Sequence, residues 1–318
     1  MIPAYFVAMH ASGPPVDVHI AVVKAIGTGN DEGNEEKEGK RRMERLRANY
    51  HTHTVFCDGS NKAEEVVEQA IALGFTHLGF SGHMDPDIHM DFPRYKEEIQ
   101  RLQKQYQGQL DIILGVELDN IYDPHCADDA EYKIGSTHFL DVETETPMSV
   151  DNTPEIMEAL AKECYGGDYY ALAKAYYQLE AKVYDRLHCD FVGHFDLVTR
   201  FNDQMHFLDE EDPRYLNPAL EAMEYLVKEG VPFEINCGAV NRGRKKELYP
   251  NRRLLKALHD FGGEILINSD AHQKELLDGA FETAVHTAVE CGFTHTNLLI
   301  HDEQGRLIWH PLALDRLY

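Results

Sequence analysis

The chain has 318 residues, of which 43% are hydrophobic, which is enough to bury a core in one large domain or two ordinary ones and excludes wholesale disorder. Its 55 acidic and 30 basic residues give a formal net charge of −25, and such a surface repels the phosphate backbone of nucleic acids, so we expect no nucleic-acid partner. No segment approaches the ~18 apolar residues of a membrane span, so we expect no membrane partner either.

The first 42 residues do not follow the pattern of a folded segment. Residues 27–42 are a run of glycine, polar and charged residues that cannot build a core. The ordered pattern starts at Met43, which could itself be the initiator, and Lys37-Glu38-Gly39 could be encoded by a purine-rich string like a bacterial ribosome-binding site. We therefore predict that residues 1–42 are a disordered extension or a misassigned start, and that residues 43–318 form the functional domain. A genuine N-terminal arm is the alternative, and the intact mass of the native protein distinguishes them.

Seven short runs of β-type residues follow, and each ends in a polar or potentially metal-binding side chain. The runs are Ala48–His53, Thr76–His83, Asp111–Glu117, Ile134–Leu140, Phe191–Asp196, Pro232–Cys237 and Glu264–Asp270. A helical pattern follows the first run, and the later ones are Pro93–Tyr106, Asp151–Glu163, Tyr169–Leu187, Asp212–Glu229, Asn251–Phe261 and Leu276–Cys291. Because strands that alternate with helices form parallel β/α units, we predict an α/β barrel.

Two details of the helices are predicted as well. Asn61, with Glu64 three residues later, indicates a capping box at the start of the first helix, and Gly74 indicates its end. The segment between Leu140 and Phe191 is longer than a simple crossover and is rich in tyrosine. We predict that its helices form a cap insertion beside the mouth of the barrel.

The ends of the strands carry the candidate functional residues, because the loops after the strands form the reactive face of a β/α barrel. His51 and His53 are two residues apart, so on a strand both project from the same face and could hold one metal ion. This pattern alone is weak. Asp58 follows in a Cys-Asp-Gly segment, where an ordinary turn aspartate is the alternative.

Further candidate ligands end the later strands. Glu117 ends an apolar run, where a buried carboxylate is costly unless it is paired or binds a metal. The others are His83, His138, His194, Asp270 and His272. A lone histidine at such a position is more often a satisfied core residue. However, six imidazoles and three carboxylates facing one pocket exceed the three or four protein ligands of one catalytic metal. We therefore predict two or three divalent ions, which this ligand chemistry allows to be zinc, manganese or iron.

From about residue 43 to the C-terminus, the series of motifs resembles the polymerase-and-histidinol-phosphatase (PHP) superfamily. The motifs are His51-x-His53, Asp58-Gly59, Ser81-Gly82-His83, Gly115-Val116-Glu117, Gly135-Ser136-x-His138, Gly193-His194 and Ser269-Asp270-Ala271-His272. Residues 193–197, Phe233-Glu234-Ile235-Asn236 and Tyr249-Pro250 resemble the monofunctional histidinol-phosphatases in particular. The resemblance implies a distorted seven-stranded (β/α)7 barrel with a trinuclear metal site, formed by a PHP metallophosphatase domain at residues 43–318.

The resemblance also implies a division of the ligands. One ion would be held by His51, His53, Glu117 and Asp270, a second by Glu117, His138 and His194, and a third by Asp58, His83 and His272. Arg200 and Arg242 follow strands that end in the pocket and would bind the phosphoryl oxygens with their planar forks of donors. A position on the surface, away from phosphate, is the alternative for both arginines. For the neighbouring basic residues Arg244, Lys245 and Lys246, the surface position is the stronger interpretation.

The activity implied by the resemblance is hydrolysis of L-histidinol phosphate to L-histidinol and phosphate, so the expected partner is a small phosphate ester. The alternatives are another PHP phosphoesterase (a sugar-phosphate phosphatase or a nuclease), a PHP domain that only scaffolds, and a metal-dependent amidohydrolase, which would commonly carry a lysine where Glu117 stands. The six cysteines form no C-x-x-C pair, which favours reduced thiols and a cytoplasmic enzyme. The sequence leaves the oligomeric state open.

Overall fold

The computed structural model describes residues 47–144 and 146–317. The prediction of a disordered or misassigned segment at residues 1–42 lies outside the described residues and stays a prediction. Within the described ranges, no helix is both long enough and apolar enough to cross a membrane.

Seven parallel strands, each hydrogen-bonded to the next in chain order, form the central sheet. They are β1 (Ala48–Asn49), β2 (His77–Met84), β3 (Asp111–Asp119), β4 (Tyr132–Ser136), β5 (Phe191–Val192), β6 (Phe233–Asn236) and β7 (Ile265–Asn268). A parallel bridge between Thr52 and Ala271 joins the two ends of the sheet, with the His53 amide donating to the Ala271 carbonyl at 2.9 Å. The predicted seven-stranded β/α barrel is therefore confirmed.

Helices cover the outside of the barrel. They are α1 (Ala63–Ala72), α2 (Phe92–Gln105), α3 (Pro154–Tyr165), α4 (Tyr169–Glu180), α5 (Val183–Leu187), α6 (Asn202–Met205), α7 (Pro213–Lys228), α8 (Gly238–Asn241), α9 (Arg252–Asp260) and α10 (Phe281–Cys291). The last helix starts five residues later than predicted. Its start is displaced because Ala280 has a positive φ of 60° and the Asn241 side chain donates to the Leu276 carbonyl at 2.7 Å, which holds the preceding residues in a loop.

The predicted capping box at the start of α1 is wrong by one residue. The Glu65 carboxylate, not that of Glu64, accepts the Lys62 amide at 2.9 Å. The Asn61 side chain instead accepts the Lys274 amide at 2.9 Å, so it ties the loop after β7 to the start of α1. The predicted end at Gly74 is confirmed by its left-handed φ of 77°.

The insertion between β4 and β5 contains α3, α4 and α5. Its tyrosines brace the outer helical layer, since the Tyr177 hydroxyl donates to the Tyr215 hydroxyl on α7 at 2.8 Å and the Tyr176 hydroxyl donates to the Phe195 carbonyl at 3.2 Å. The loop that leads into α3, which includes Ser149 and Asp151, is the part of this insertion that reaches the cavity at the barrel mouth.

A C-terminal hairpin, β8 (His295–His301) and β9 (Leu307–Ala313), was not among the predicted strands. It packs on the barrel through the buried Tyr50 hydroxyl, which donates to the Leu299 carbonyl at 2.8 Å and accepts the Leu299 amide at 3.0 Å. Its signal in the sequence is two short apolar runs separated by a glycine-containing turn at residues 302–305.

His301 fastens this hairpin to the N-terminal end of the barrel, at the start of β3. Its Nδ1 lies 2.7 Å from Asp111 Oδ1 and its Nε2 lies 2.9 Å from Glu131 Oε1. Because both ring nitrogens face carboxylates, the doubly protonated imidazolium is favoured, and these hydrogen bonds raise the pKa of His301 to about 10.

We predict that the stabilising effect of His301 depends on pH. A pKa raised on folding adds stability that is complete below the ordinary value of about 6.5 and is lost as the pH rises through about 10. His301→Gln should therefore lower the Tm by several degrees at pH 6, and the difference from the unmodified protein should shrink as the pH rises through 10. Thermal melts across this range test it, with exposed His295→Gln on the same hairpin as control. A difference that does not change with pH would contradict this prediction.

Candidate metal centre

The side chains predicted as metal ligands meet at the C-terminal ends of the strands, and Glu117 on β3 lies at their centre. Parallel pairing places it directly beside His83 of β2. Its carboxylate is buried and surrounded by five imidazoles. The Oε2 atom lies 3.0 Å from His51 Nε2, 3.4 Å from His53 Nε2 and 3.3 Å from His83 Nδ1. The Oε1 atom lies 3.3 Å from His138 Nε2 and 2.8 Å from His194 Nε2.

The three remaining predicted ligands, Asp58, Asp270 and His272, extend this cluster. The Asp58 carboxylate lies 3.7 Å from both His53 Nδ1 and His83 Nε2, and 3.0 Å from His272 Nε2. Asp270 Oδ1 lies 3.4 Å from His53 Nε2 and 3.3 Å from His272 Nδ1. All nine predicted residues therefore form one continuous network.

The electrostatics of this network favour cation ligation. Burial alone would raise the pKa of Glu117, but the nearby imidazoles of His51, His83 and His138 hold it well below its usual range. Burial, together with the neighbouring His272 and His83 rings, lowers the pKa of His53 to about 3. Glu117 is therefore ionised and His53 neutral, as metal binding requires, whereas the carboxylates of Glu234 and Glu117 outweigh burial and raise the pKa of His51, so a bound ion would displace a proton from that imidazole.

A test of whether metal ions fit this site comes from its buried nitrogen atoms. His53 Nε2 and His83 Nδ1 are buried and face the Glu117 carboxylate without a hydrogen-bond partner among the described residues. An unsatisfied buried polar atom is costly, and a cation between the imidazole and the carboxylate would satisfy both groups. Imidazole and carboxylate together suit zinc, iron or manganese.

The described residues contain three groups of potential ligands, and within each group all donor atoms lie within 4.8 Å of one another. The groups are His53, Asp58, His83 and His272; His51, His53 and Glu117; and His83, Glu117 and His138. Each group shares at least two residues with one of the three sets that the family resemblance implies. Asp270 and His194 fall outside the three groups, although His194 Nε2 lies 2.8 Å from Glu117 Oε1 and Asp270 Oδ1 lies 3.4 Å from His53 Nε2.

Carboxylates behind the cluster orient two of its imidazoles, and the sequence reasoning missed this role. Glu234 Oε1 lies 2.7 Å from His51 Nδ1, and Glu234 Oε2 accepts the His194 amide at 3.0 Å. Asp119 Oδ2 lies 3.4 Å from His138 Nδ1. The signal for Glu234 was a carboxylate inside a buried strand, which is the argument that selected Glu117.

A cavity of about 430 Å³ opens above the cluster. Three arginines line it, and we call Arg200, Arg242 and Arg244 the arginine trio; three acidic residues, Asp85, Asp87 and Asp151, also line it and form the acidic trio. Arg244 is exposed, as expected, but it lines the cavity. The surface position expected for Lys245 is wrong, because its side chain is buried with its Nζ 2.6 Å from Thr199 Oγ1. Lys246 is exposed, as expected.

Arg242 is hydrogen-bonded to two of the predicted metal ligands, Asp270 and His272. Its Nη1 donates to the Asp270 carbonyl and to His272 Nδ1, each at 2.8 Å, and its Nη2 lies 3.1 Å from Asp270 Oδ2. Gly238 makes room for this pair, since a Cβ there would lie 2.5 Å from Asp270 Oδ2 and 2.8 Å from Arg242 Nη2. The nearby guanidinium of Arg242 and imidazole of His51 overcome the effect of burial and hold the pKa of Asp270 well below its usual range.

Residues 49–238 match the PHP domain family. The chain belongs to this family.

Several proteins that are similar to the chain are named for one activity. The chain is 29% identical over 264 residues to a protein of Deinococcus radiodurans named probable histidinol-phosphatase, covering 76% of this chain and 92% of the relative. It is 26% identical over 269 residues to the histidinol-phosphatase of Bacillus subtilis, covering 73% of this chain and 96% of the relative. The crystal structure of histidinol phosphate phosphatase from Lactococcus lactis, complexed with zinc, L-histidinol and phosphate, superposes with a TM-score of 0.61 at 21% identity, covering 79% of this chain and 95% of that one.

We predict that Glu234 controls the affinity of the cluster for metal. Glu234→Gln removes the charge that opposes His51 while nearly preserving the shape of the side chain. Loss of such a supporting carboxylate typically costs 10–100-fold in metal affinity, so we expect a loss of that size for at least one ion. Titration of the metal-free protein with Zn²⁺ or Mn²⁺, followed by calorimetry, measures it, and the exposed Glu221→Gln serves as control. Unchanged metal affinity in Glu234→Gln would show that this carboxylate does not affect metal binding by His51.

Proposed function

We propose that this PHP-family chain is a metal-dependent phosphomonoesterase that hydrolyses L-histidinol phosphate to L-histidinol and phosphate. The observation that carries the proposal is the meeting of nine potential ligands, with Glu117 at their centre, at the floor of a cavity that is also lined by three arginines. The names of two relatives, covered over 92% and 96% of their lengths, support the choice of substrate.

The residues that would hold the ions are the nine of the network: His51, His53, Asp58, His83, Glu117, His138, His194, Asp270 and His272. Bound divalent ions supply Lewis-acid activation of water and neutralise phosphoryl charge. Glu234 and Asp119 orient two of these imidazoles in advance, since the Glu234 carboxylate lies 2.7 Å from His51 Nδ1 and the Asp119 carboxylate lies 3.4 Å from His138 Nδ1. Such preorganisation lets the site stabilise charge without reorganising during the reaction.

The cavity has suitable groups for both ends of the substrate. Its volume of about 430 Å³ is in the range of small-molecule sites. The phosphoryl group would lie between the metal cluster and the arginine trio, where guanidinium groups bind phosphate oxygens well. The acidic trio would receive the cationic amine of the histidinol end, so one cavity would bind an anionic and a cationic group at once.

The rival functions fit less well. A nuclease needs a basic groove along the nucleic-acid backbone, and a net charge of −25 opposes it. A metal-dependent amidohydrolase would commonly place a lysine at the bridging position, where this chain has Glu117; Lys245, although buried, is directed at Thr199. A cytoplasmic location also stays a proposal, and it is supported by six cysteines that are all unpaired.

The first test is release of phosphate from L-histidinol phosphate by the purified protein before and after chelation. We expect turnover that is lost on chelation and restored by Mn²⁺ or Zn²⁺. A sugar phosphate, a dinucleotide diester and a dipeptide offered under the same conditions test the rival functions. Hydrolysis of one of these in preference to histidinol phosphate would overturn the proposed substrate, and turnover that survives complete removal of metal would overturn the mechanism.

A second test removes one ligand at a time. We expect His138→Ala and His194→Ala each to lose a metal ion and most of the turnover, because each imidazole borders Glu117 Oε1. Metal content by mass spectrometry and turnover are measured on the same samples, with exposed His188→Ala as control. Full metal content together with full turnover in either variant would refute the assignment.

A further inference from the structure

The members of the arginine trio do not have equivalent contacts. Both terminal nitrogens of Arg242 are committed to the metal cluster, through the carbonyl and carboxylate of Asp270 and through His272 Nδ1. Its side chain is 15% exposed. These contacts use three of the five N–H groups of its guanidinium and hold two of the nine network residues in place; its Nε is buried and, like that of Arg200, has no partner among the described residues.

Arg200 and Arg244 have no such commitment. Within residues 47–144 and 146–317, neither guanidinium has a carboxylate within 4.0 Å or a hydrogen-bond acceptor, and Arg200 Nε is buried without a partner. The Arg200 guanidinium lies 5.7 Å from the centre of the Phe201 ring. Burial and the neighbouring guanidinium groups of Arg200 and Arg242 lower the pKa of Arg244. Positive groups that lower one another's affinity for protons attract an anion to the space they share.

A side-chain contact joins the two loops that carry Arg200 and Arg244. Lys245, the residue after Arg244, donates from Nζ to the hydroxyl of Thr199 at 2.6 Å and to its carbonyl at 3.3 Å, and Thr199 directly precedes Arg200. The Arg244 amide also donates to the Ala239 carbonyl at 2.8 Å, which anchors the loop after β6. The buried Lys245 side chain therefore joins the loop after β5 to the loop after β6, immediately beside the two guanidinium-bearing residues.

We propose that Arg200 and Arg244 are the pair that binds the phosphoryl group, and that Arg242 is a positioning residue that holds Asp270 and His272 in the metal cluster. This assignment rests on the proposed function in taking a phosphate ester as the substrate. The family resemblance implies that Arg200 and Arg242 bind phosphate, whereas here Arg244 takes the place of Arg242.

The test separates phosphate binding from metal binding in four variants, Arg200→Gln, Arg242→Gln, Arg244→Gln and the control Lys246→Gln. Lys246 is an exposed cation two residues from Arg244, so its loss changes the net charge equally. The affinity of the metal-loaded protein for inorganic phosphate is measured by calorimetry, and metal content is measured after gel filtration. Neither readout depends on which phosphate ester is the substrate.

We expect Arg200→Gln and Arg244→Gln to weaken phosphate binding by about 10-fold or more at unchanged metal content, since charge-assisted hydrogen bonds are lost. Arg242→Gln should lower metal content, and Lys246→Gln should change neither quantity. Arg244→Lys should recover part of the phosphate affinity because it retains the charge but not the fork of donors. In kinetics with the substrate, Arg244→Gln should raise KM, whereas Arg242→Gln should lower kcat together with metal occupancy.

Three results would overturn the proposal. Arg244→Gln could bind phosphate as tightly as the unmodified protein, Arg242→Gln could lose phosphate affinity at full metal content, or Arg244→Gln could lose metal. If the unmodified protein binds phosphate in the expected pattern but does not hydrolyse histidinol phosphate, the proposed substrate fails and the roles of the arginines stand.

Discussion

The structure of the site depends on one buried carboxylate, that of Glu117, which is surrounded by five imidazoles. An unpaired charge at the end of a buried strand would be costly, and removing one partner of a buried ion pair costs about 3–5 kcal/mol. Here the carboxylate is satisfied from both of its oxygens by histidines from β2 and from the ends of three other strands, β1, β4 and β5. The seven-stranded parallel barrel makes this possible because it brings the ends of distant segments to one place.

Residues around Glu117 hold the closely spaced imidazoles and carboxylates of the cluster in place by hydrogen bonds and ion pairs. Glu234 binds His51, the amide of His194 and the side chain of Asn268 on β7 at 2.9 Å, so one carboxylate links three strands behind the cluster. On the cavity side, Arg242 neutralises Asp270. Positive charge is thus divided between an arginine that stabilises the cluster and two arginines that face the cavity, and this division is the basis for assigning them different roles.

The sequence predicts the barrel and its reactive end well because both depend on local patterns. Buried runs that end in histidine or a carboxylate identify the strands, and the order of the strands then brings His51, Glu117 and Asp270 together. Prediction fails where a position is decided by a distant contact. Arg244 lies in a basic run that is typical of a surface, and its place in the cavity depends on Lys245 reaching Thr199, 46 residues away. Likewise, Glu65 rather than Glu64 caps α1 because Asn61 is already used to bind the Lys274 amide of another loop.

The cavity combines a metal-binding floor, arginines and acidic residues in a chain whose overall charge is −25. We infer from these contacts that Glu117 lies at the centre of a cluster of more than one metal ion. Anomalous X-ray scattering at the zinc edge, on crystals of the protein loaded with Zn²⁺, tests this directly. We predict at least two anomalous peaks, with the Glu117 carboxylate as a ligand shared between two of them. A single peak confined to the more exposed Asp58 and His272, or no peak beside Glu117, would contradict the account.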